Sequence, residues 1–326
     1  MRPNSSGQHD ENPYLNLRSA LAAGRAAVDQ RWKTRAEQDM AQTEEPLTED
    51  LLMAAYPTVR HATFTKPEEG RIGADWLWWF TDSSGECFGM LVQAKVRKER
   101  NGHHEINLRY DNRSQIRSLL ATSDAFEVPA AYVLYMGPAV ERAQLSCGAM
   151  HEPAGCGRCP EMSVAAISAI AADQIVSNNA FSDRVVEDVV TLATPLESIA
   201  DPRAGREDVS FLYRSWPDDD LVQLLRDPQT GSRAVAKAIV HSPVLQRLRQ
   251  FAAVAIAPTT MTDIVDSPRV FTRLPDDRGH FGVPYLEHLL RGLRTRLPSY
   301  VHAALDGRRP TQDGHGSLAG LVLAQV

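Results

Sequence analysis

The sequence predicts an α/β protein: a mixed sheet flanked by helices, with a mainly α-helical C-terminal extension. Three observations carry this expectation. Residues 75–96 hold two runs rich in aromatic and branched side chains, DWLWWF and FGMLVQAKV, joined by the turn-forming TDSSGE. Residues 112–123 place apolar side chains at 116, 119 and 120, a helical spacing, and PAAYVLYM follows as a short buried strand. From Pro160 onward the apolar positions recur mostly at helical spacing.

Taken in order, the first 14 residues are polar and lack the apolar core of a secretory leader. Residues 15–42, rich in Ala, Leu, Arg and Gln, predict a surface helix added to the outside of the protein, so 1–42 reads as a polar tail and N-terminal helix. The compact core is expected over 43–160. It opens on TEEPLTEDLLMAAY, where Thr43 and Thr48 offer alternative helix starts. Residues 161–326 form the mainly helical C-terminal region, and the stretches at 194–208 and 258–283, rich in Pro, Asp, Gly and Thr, read as connections or lids.

Composition narrows the function classes. At 326 residues and 43% hydrophobic content, the chain can fill a substantial core. A net charge of -6 argues against wholesale coating of nucleic acid, so any such contact is local. No run is long enough to span a membrane, and the expectation is a soluble, cytoplasmic protein without membrane contact. The four cysteines are unevenly placed, unlike the paired framework of a small secreted domain.

Asp75 and Lys95 are unusual in segments that otherwise read as core. In an extended strand Leu91, Gln93 and Lys95 share one face, while Val92, Ala94 and Val96 share the other, which is expected to pack inward. A neighbouring strand can bring Asp75 to the same edge. A carboxylate, an amide oxygen and an ammonium then stand together. Phosphodiester cleavage uses such groups: hard oxygen ligands for Mg²⁺ or Mn²⁺, and a cation beside the attacking water. Between Lys95 and Arg117 seven Lys or Arg face three acids, a local net charge of +4 in an acidic chain. That excess suits a groove for the DNA backbone, with Arg97, Lys98, Arg100 and Arg113 as contacts and His103 and His104 in a reaching loop. Arg291, Arg294 and Arg296 are the alternative cationic surface. Trp76, Trp78 and Trp79 are expected in the core rather than as base-stacking platforms.

The order of Asp75 and Gln93-Ala94-Lys95, with an acidic helix before them and a helix carrying Gln115 after them, resembles the PD-(D/E)xK nuclease superfamily. The QxK form resembles its Mrr-like branch and related uncharacterised bacterial restriction-endonuclease-like families linked to phage defence. The resemblance covers roughly residues 43–137. It implies a restriction-endonuclease-like sheet and a Mg²⁺- or Mn²⁺-dependent endodeoxyribonuclease, a hydrolase acting on DNA, with RNA left open. In that pattern Asp75 and Gln93 bind the metal, Lys95 activates water, and an acid on the first helix completes the site. Glu44, Glu45 and Glu49 fit by spacing, with Glu45 preferred. Gln115 would join the nucleic-acid contacts. A homo-oligomer or a defence-system partner is also implied. This chain departs from the pattern in having no Pro before Asp75, and in carrying Gln where an acid would add a negative charge.

Cys147, His151, Cys156 and Cys159 are spaced C-x3-H-x4-C-x2-C, a donor set suited to tetrahedral Zn²⁺ in a structural role, since four protein ligands leave no open position. Unligated thiols in a glycine-rich loop are the other reading. Two further function classes stay open on the sequence: a catalytically degenerate nuclease fold that only binds DNA, and an interaction subunit with a structural zinc loop.

Overall fold

The computed structural model describes residues 13–64, 74–100, 103–108, 110–142, 145, 156–178, 185–202, 210–213, 216–248, 258–260, 266–279, 281–308 and 318–326. Helices α1 (Pro13–Glu37) and α2 (Glu44–Ala54) precede strands β1 (Val59–Thr63), β2 (Trp76–Thr81), β3 (Cys87–Arg100) and β4 (His103–Ile106). Then come α3 (Tyr110–Phe126), β5 (Ala130–Tyr135), a short α4 (Arg158–Glu161), β6 (Val164–Ser168), α5 (Ala169–Asn178), α6 (Val185–Leu192) and β7 (Thr194–Pro195). The rest of the chain supplies α7 (Asp219–Arg226), α8 (Gly231–Leu248), β8 (Pro258–Thr260), β9 (Arg273–Pro275), α9 (Tyr285–Leu290), β10 (Leu293–Arg294), α10 (Ser299–Leu305) and β11 (Gly320–Gln325).

Among the described residues, nine strands form one mixed sheet in the order β1-β11-β2-β3-β5-β6-β7, with β4 and β10 also paired to β3. The pairs β11·β2 and β3·β5 are parallel. A sheet with parallel pairs at its centre needs helices on both faces. Accordingly Phe88, Met90, Val92, Ala94 and Val96 of β3 pack in one cluster with α1, α2, α7, α8 and α9. Cys87 and Leu91 pack in a second cluster with α3, α5, α6 and α10. The row Leu91, Gln93, Lys95, expected to be the open side of its strand, is therefore covered as well, and Gln93 is only 4% exposed. Every residue of β5 is buried, as its apolar run suggests.

Helix α1 corrects an expectation. It is no surface addition: Leu17, Leu21, Val28 and Trp32 are buried in the main core. Its alanine- and arginine-rich composition hides a narrow apolar stripe. Gly24 lets α1 approach α2 so closely that an added Cβ would lie 2.6 Å from the Leu51 carbonyl oxygen. Its arginines tie it across the molecule, Arg18 to Glu161 at 2.6 Å and Arg25 to Glu197 at 2.5 Å. Helix α2 starts at Glu44 after Thr43, while the Thr48 hydroxyl donates to the Glu44 carbonyl within the helix.

After residue 160 the chain is mainly helical, as expected, and also feeds β6, β7, β10 and β11 into the sheet. Strand β11, absent from the sequence expectation, lies between β1 and β2. Its run LVLA is too short to signal a strand by periodicity. Among the described residues, no helix is long and apolar enough to cross a membrane.

Candidate active site at the start of β2

Strand β3 outruns its neighbour. Pairing with β2 ends at Trp76 opposite Val92, whereas β3 continues to Arg100. The Leu91 amide points towards β5, donating to Pro129, so the amides of the even-numbered residues face the edge that β2 vacates. Two carboxylates occupy that edge. The Ala94 N–H donates to Asp75 Oδ2 at 2.8 Å, and the Val96 N–H donates to Glu44 Oε1 at 3.3 Å. Backbone groups that would lack a strand partner are thus satisfied by acids.

The backbone of Asp75 is held on both sides: its N–H donates to Val92 and its carbonyl accepts from the Ala319 N–H at 2.7 Å. Burial pushes the Asp75 carboxyl up to about 6; the Ala94 amide and Lys95 pull it back, while Glu44 and Glu45 push it further. Lys95 is half-buried, and its Nζ donates to Gln115 Oε1 at 2.6 Å. Burial draws the Lys95 ammonium below the usual lysine range, partly offset by Glu44 and Asp75. Gln93 is the least satisfied member: its Oε1 is buried with no hydrogen-bond partner among the described residues. A lone buried amide oxygen costs about 1–3 kcal/mol.

These side chains line a cavity of about 560 Å³, with Asp75, Gln93 and Lys95 in its wall, α2 on one side and the end of β1 on another. A smaller cavity of about 200 Å³ shares Glu44, Lys95 and Gln115 and adds Lys98 and Asn107. The structure therefore brings Asp75, Gln93, Lys95 and Gln115 together. Of the three helix acids, Glu44 is the one that bonds β3; Glu45 and Glu49 are exposed on the cavity wall, so the preference for Glu45 shifts to Glu44. Sequence spacing cannot separate adjacent acids, because which one turns inward depends on the helix phase against the sheet.

The cationic segment divides differently. Arg97 is a structural side chain, 4% exposed, whose guanidinium donates to the Met136 carbonyl at 2.7 Å, pairs with Glu141 at 3.1 Å and lies over the Trp32 ring. It does not belong to a DNA groove. Lys98 and Arg117 are exposed, while the side chains of Arg100 and Arg113 lie outside the described residues. His104 Nδ1 meets Arg97 at 2.6 Å, and His103 is exposed. The alternative surface fails for two of its arginines: Arg291 is buried against Asp124 and Ser123, and Arg294 is buried against the Glu127 carbonyl. Arg296 donates to the Asp266 carbonyl. Trp78 and Trp79 are core, as expected, but Trp76 is half-buried and lines the cavity.

The donor set suits a hard divalent cation. Gln93 Oε1 lacks a partner, and Asp75 and Glu44 each bond a backbone amide through one oxygen, leaving the other oxygen outside that bond. Among the described residues, no three His, Cys, Asp or Glu side chains are grouped to hold a metal ion. The set here differs in counting an amide among its donors. For the cysteine motif, Cys156 is half-buried and Cys159 buried at α4, whereas Cys147 and His151 lie outside the described residues.

No curated protein matches the chain. A family model described as a family of unknown function (DUF6615) matches residues 17–325, from the first turns of α1 to the last residue of β11, and the chain belongs to that family.

Proposed function

We propose that the protein is a divalent-metal-dependent nuclease that hydrolyses DNA phosphodiester bonds at the start of β2, in a restriction-endonuclease-like setting. The observation that carries this reading is the buried, unpartnered Gln93 Oε1 beside Asp75 and Lys95 in the wall of a cavity. Other buried side-chain atoms also lack a partner among the described residues, but Gln93 Oε1 is the one that stands beside a carboxylate and an ammonium in a cavity wall.

Asp75, Gln93 and Glu44 would hold the ion, which when bound stabilises negative charge developing on the phosphoryl oxygens. The same cavity wall carries Glu44, Glu45, Glu49 and Asp75 against the single lysine Lys95. Without a cation this wall repels a phosphate. The Ala94 amide fixes the Asp75 carboxylate, and Gln115 fixes the Lys95 side chain while using one of its three N–H donors. The remaining donors can orient a water for attack on phosphorus and face the charge that builds there. Its lowered proton affinity brings Lys95 closer to exchanging a proton near neutral pH.

The test is incubation of the purified protein with supercoiled plasmid in Mg²⁺ or Mn²⁺, beside Asp75→Ala and Lys95→Ala. Wild type should nick or linearise the plasmid, and each variant should lose at least about 100-fold in rate while keeping its fold. Equal cleavage by wild type and both variants would mean that the activity belongs to another site or a contaminant. Salt-sensitive DNA binding without cleavage would instead leave a binding module.

A further inference from the structure

We infer that the larger cavity receives one unpaired nucleotide, so that the substrate is single-stranded or locally unwound DNA, with a base seated beside Trp76 and its phosphate over Lys95. This rests on the nuclease reading above and names the substrate form that the site accepts.

A cavity of about 560 Å³ far exceeds what a metal ion and a water need, and falls in the range of small-molecule pockets. Its side away from Lys95 is aromatic: His61, Phe64 and Trp76 line it. The His61 and Trp76 rings meet edge to face at 6.2 Å. Of the three tryptophans in WLWW, Trp76 alone is only half-buried: it packs against the main core and also lines the cavity, and its indole lies so close over Gly320 that a Cβ there would meet it at 2.4 Å. His61 Nδ1 is a buried ring nitrogen with no hydrogen-bond partner among the described residues, able to meet the polar edge of a base. At the other end the smaller cavity adds Lys98 and Asn107 beyond Lys95, giving a neighbouring phosphate room and positive charge.

The acids of α2 bar a polyanion from the rest of the wall, so the backbone passes on the side of Lys95 and Lys98. In a duplex the base next to the scissile phosphate stays stacked and paired, and lodging it in the cavity requires its extrusion. An unpaired base enters without that cost and stacks on the indole.

The experiment measures kcat and KM in Mn²⁺ on one DNA sequence, single-stranded and annealed, for wild type, Trp76→Leu and Trp76→Phe. Binding of a 2-aminopurine-labelled single strand in Ca²⁺ is followed by fluorescence. The expected result is a preference of about tenfold or more for the single strand. Trp76→Leu should raise its KM about tenfold with kcat little changed and abolish the fluorescence change, and Trp76→Phe should restore both in part. If Trp76→Leu fails to fold, the wild-type preference and Trp76→Phe still decide. Equal cleavage of both forms, with KM unmoved in the variants, overturns the inference and leaves the nuclease reading standing. No cleavage of either form by wild type overturns the reading and this inference with it.

Discussion

Gln93 and Asp75 are neighbours in the site, and each carries a cost to the fold. An amide oxygen buried without a partner and a carboxyl raised to about 6 both weaken the metal-free fold at neutral pH. For Asp75 the folded value lies above the ordinary 3.8, so protonation favours the fold. That favourable term is complete below about pH 4 and is lost as pH rises through about 6. With a chelator present, Asp75→Asn should therefore be more stable than wild type at pH 8, by up to roughly 3 kcal/mol, and the two should converge near pH 4. Thermal melts across that range check it, and a variant destabilised at pH 8 would contradict the assigned charge state. Gln93→Glu adds a carboxylate beside one already pushed up. Its metal-free melting temperature should fall at pH 8, and Mg²⁺ should raise it by more than it raises wild type. A smaller Mg²⁺ response than wild type would remove Gln93 from the metal ligands.

Among the elements, β3 explains how much of the site could be read in advance. Asp75, Gln93 and Lys95 were legible because they lie within 21 residues on adjacent strands, where the period of two fixes their faces. Arg97 was misread on the same strand. In an exposed strand an arginine is a cation for a partner, but here Trp32 and Glu141 close over it, and both come from segments far away in sequence. The apolar stripe of α1 was missed for a related reason: the four buried side chains among its described residues give almost no amphipathic signal until the partner helix is known. Arg97→Ala should consequently act as a core substitution. It should lose about 1–3 kcal/mol in urea denaturation, since it leaves the Met136 carbonyl without the guanidinium and Glu141 with the Trp32 indole N–H but no ion-pair partner. The slope of DNA affinity against salt should stay as in wild type. A stable variant with a flattened slope would return Arg97 to the DNA-binding surface.

At the scale of the whole molecule, fold class was legible because alternating strand-like and helical patterns leave few ways to build layers. Strand order was not. β2 finds one neighbour, β3, through a short turn, and the other, β11, through more than 200 intervening residues, a pairing that no local pattern encodes. Asp75 depends on that distant segment directly, through the Ala319 amide that its carbonyl receives. During synthesis β1 and β2 therefore emerge long before the strand that separates them, and the nascent chain carries two open strand edges that favour wrong pairings. A chain stopped after residue 317 should accumulate as aggregate and show no cleavage, and a separately supplied 318–326 peptide should recover part of the soluble fraction. Sedimentation and plasmid nicking of the two preparations would decide it. A soluble, active truncation would show that β11 is dispensable. On the proposed function the ribosome sets a safety interval: the acid proposed to hold the metal gains its last backbone partner only when translation has passed Ala319, so an abandoned, partly made chain would lack a finished site.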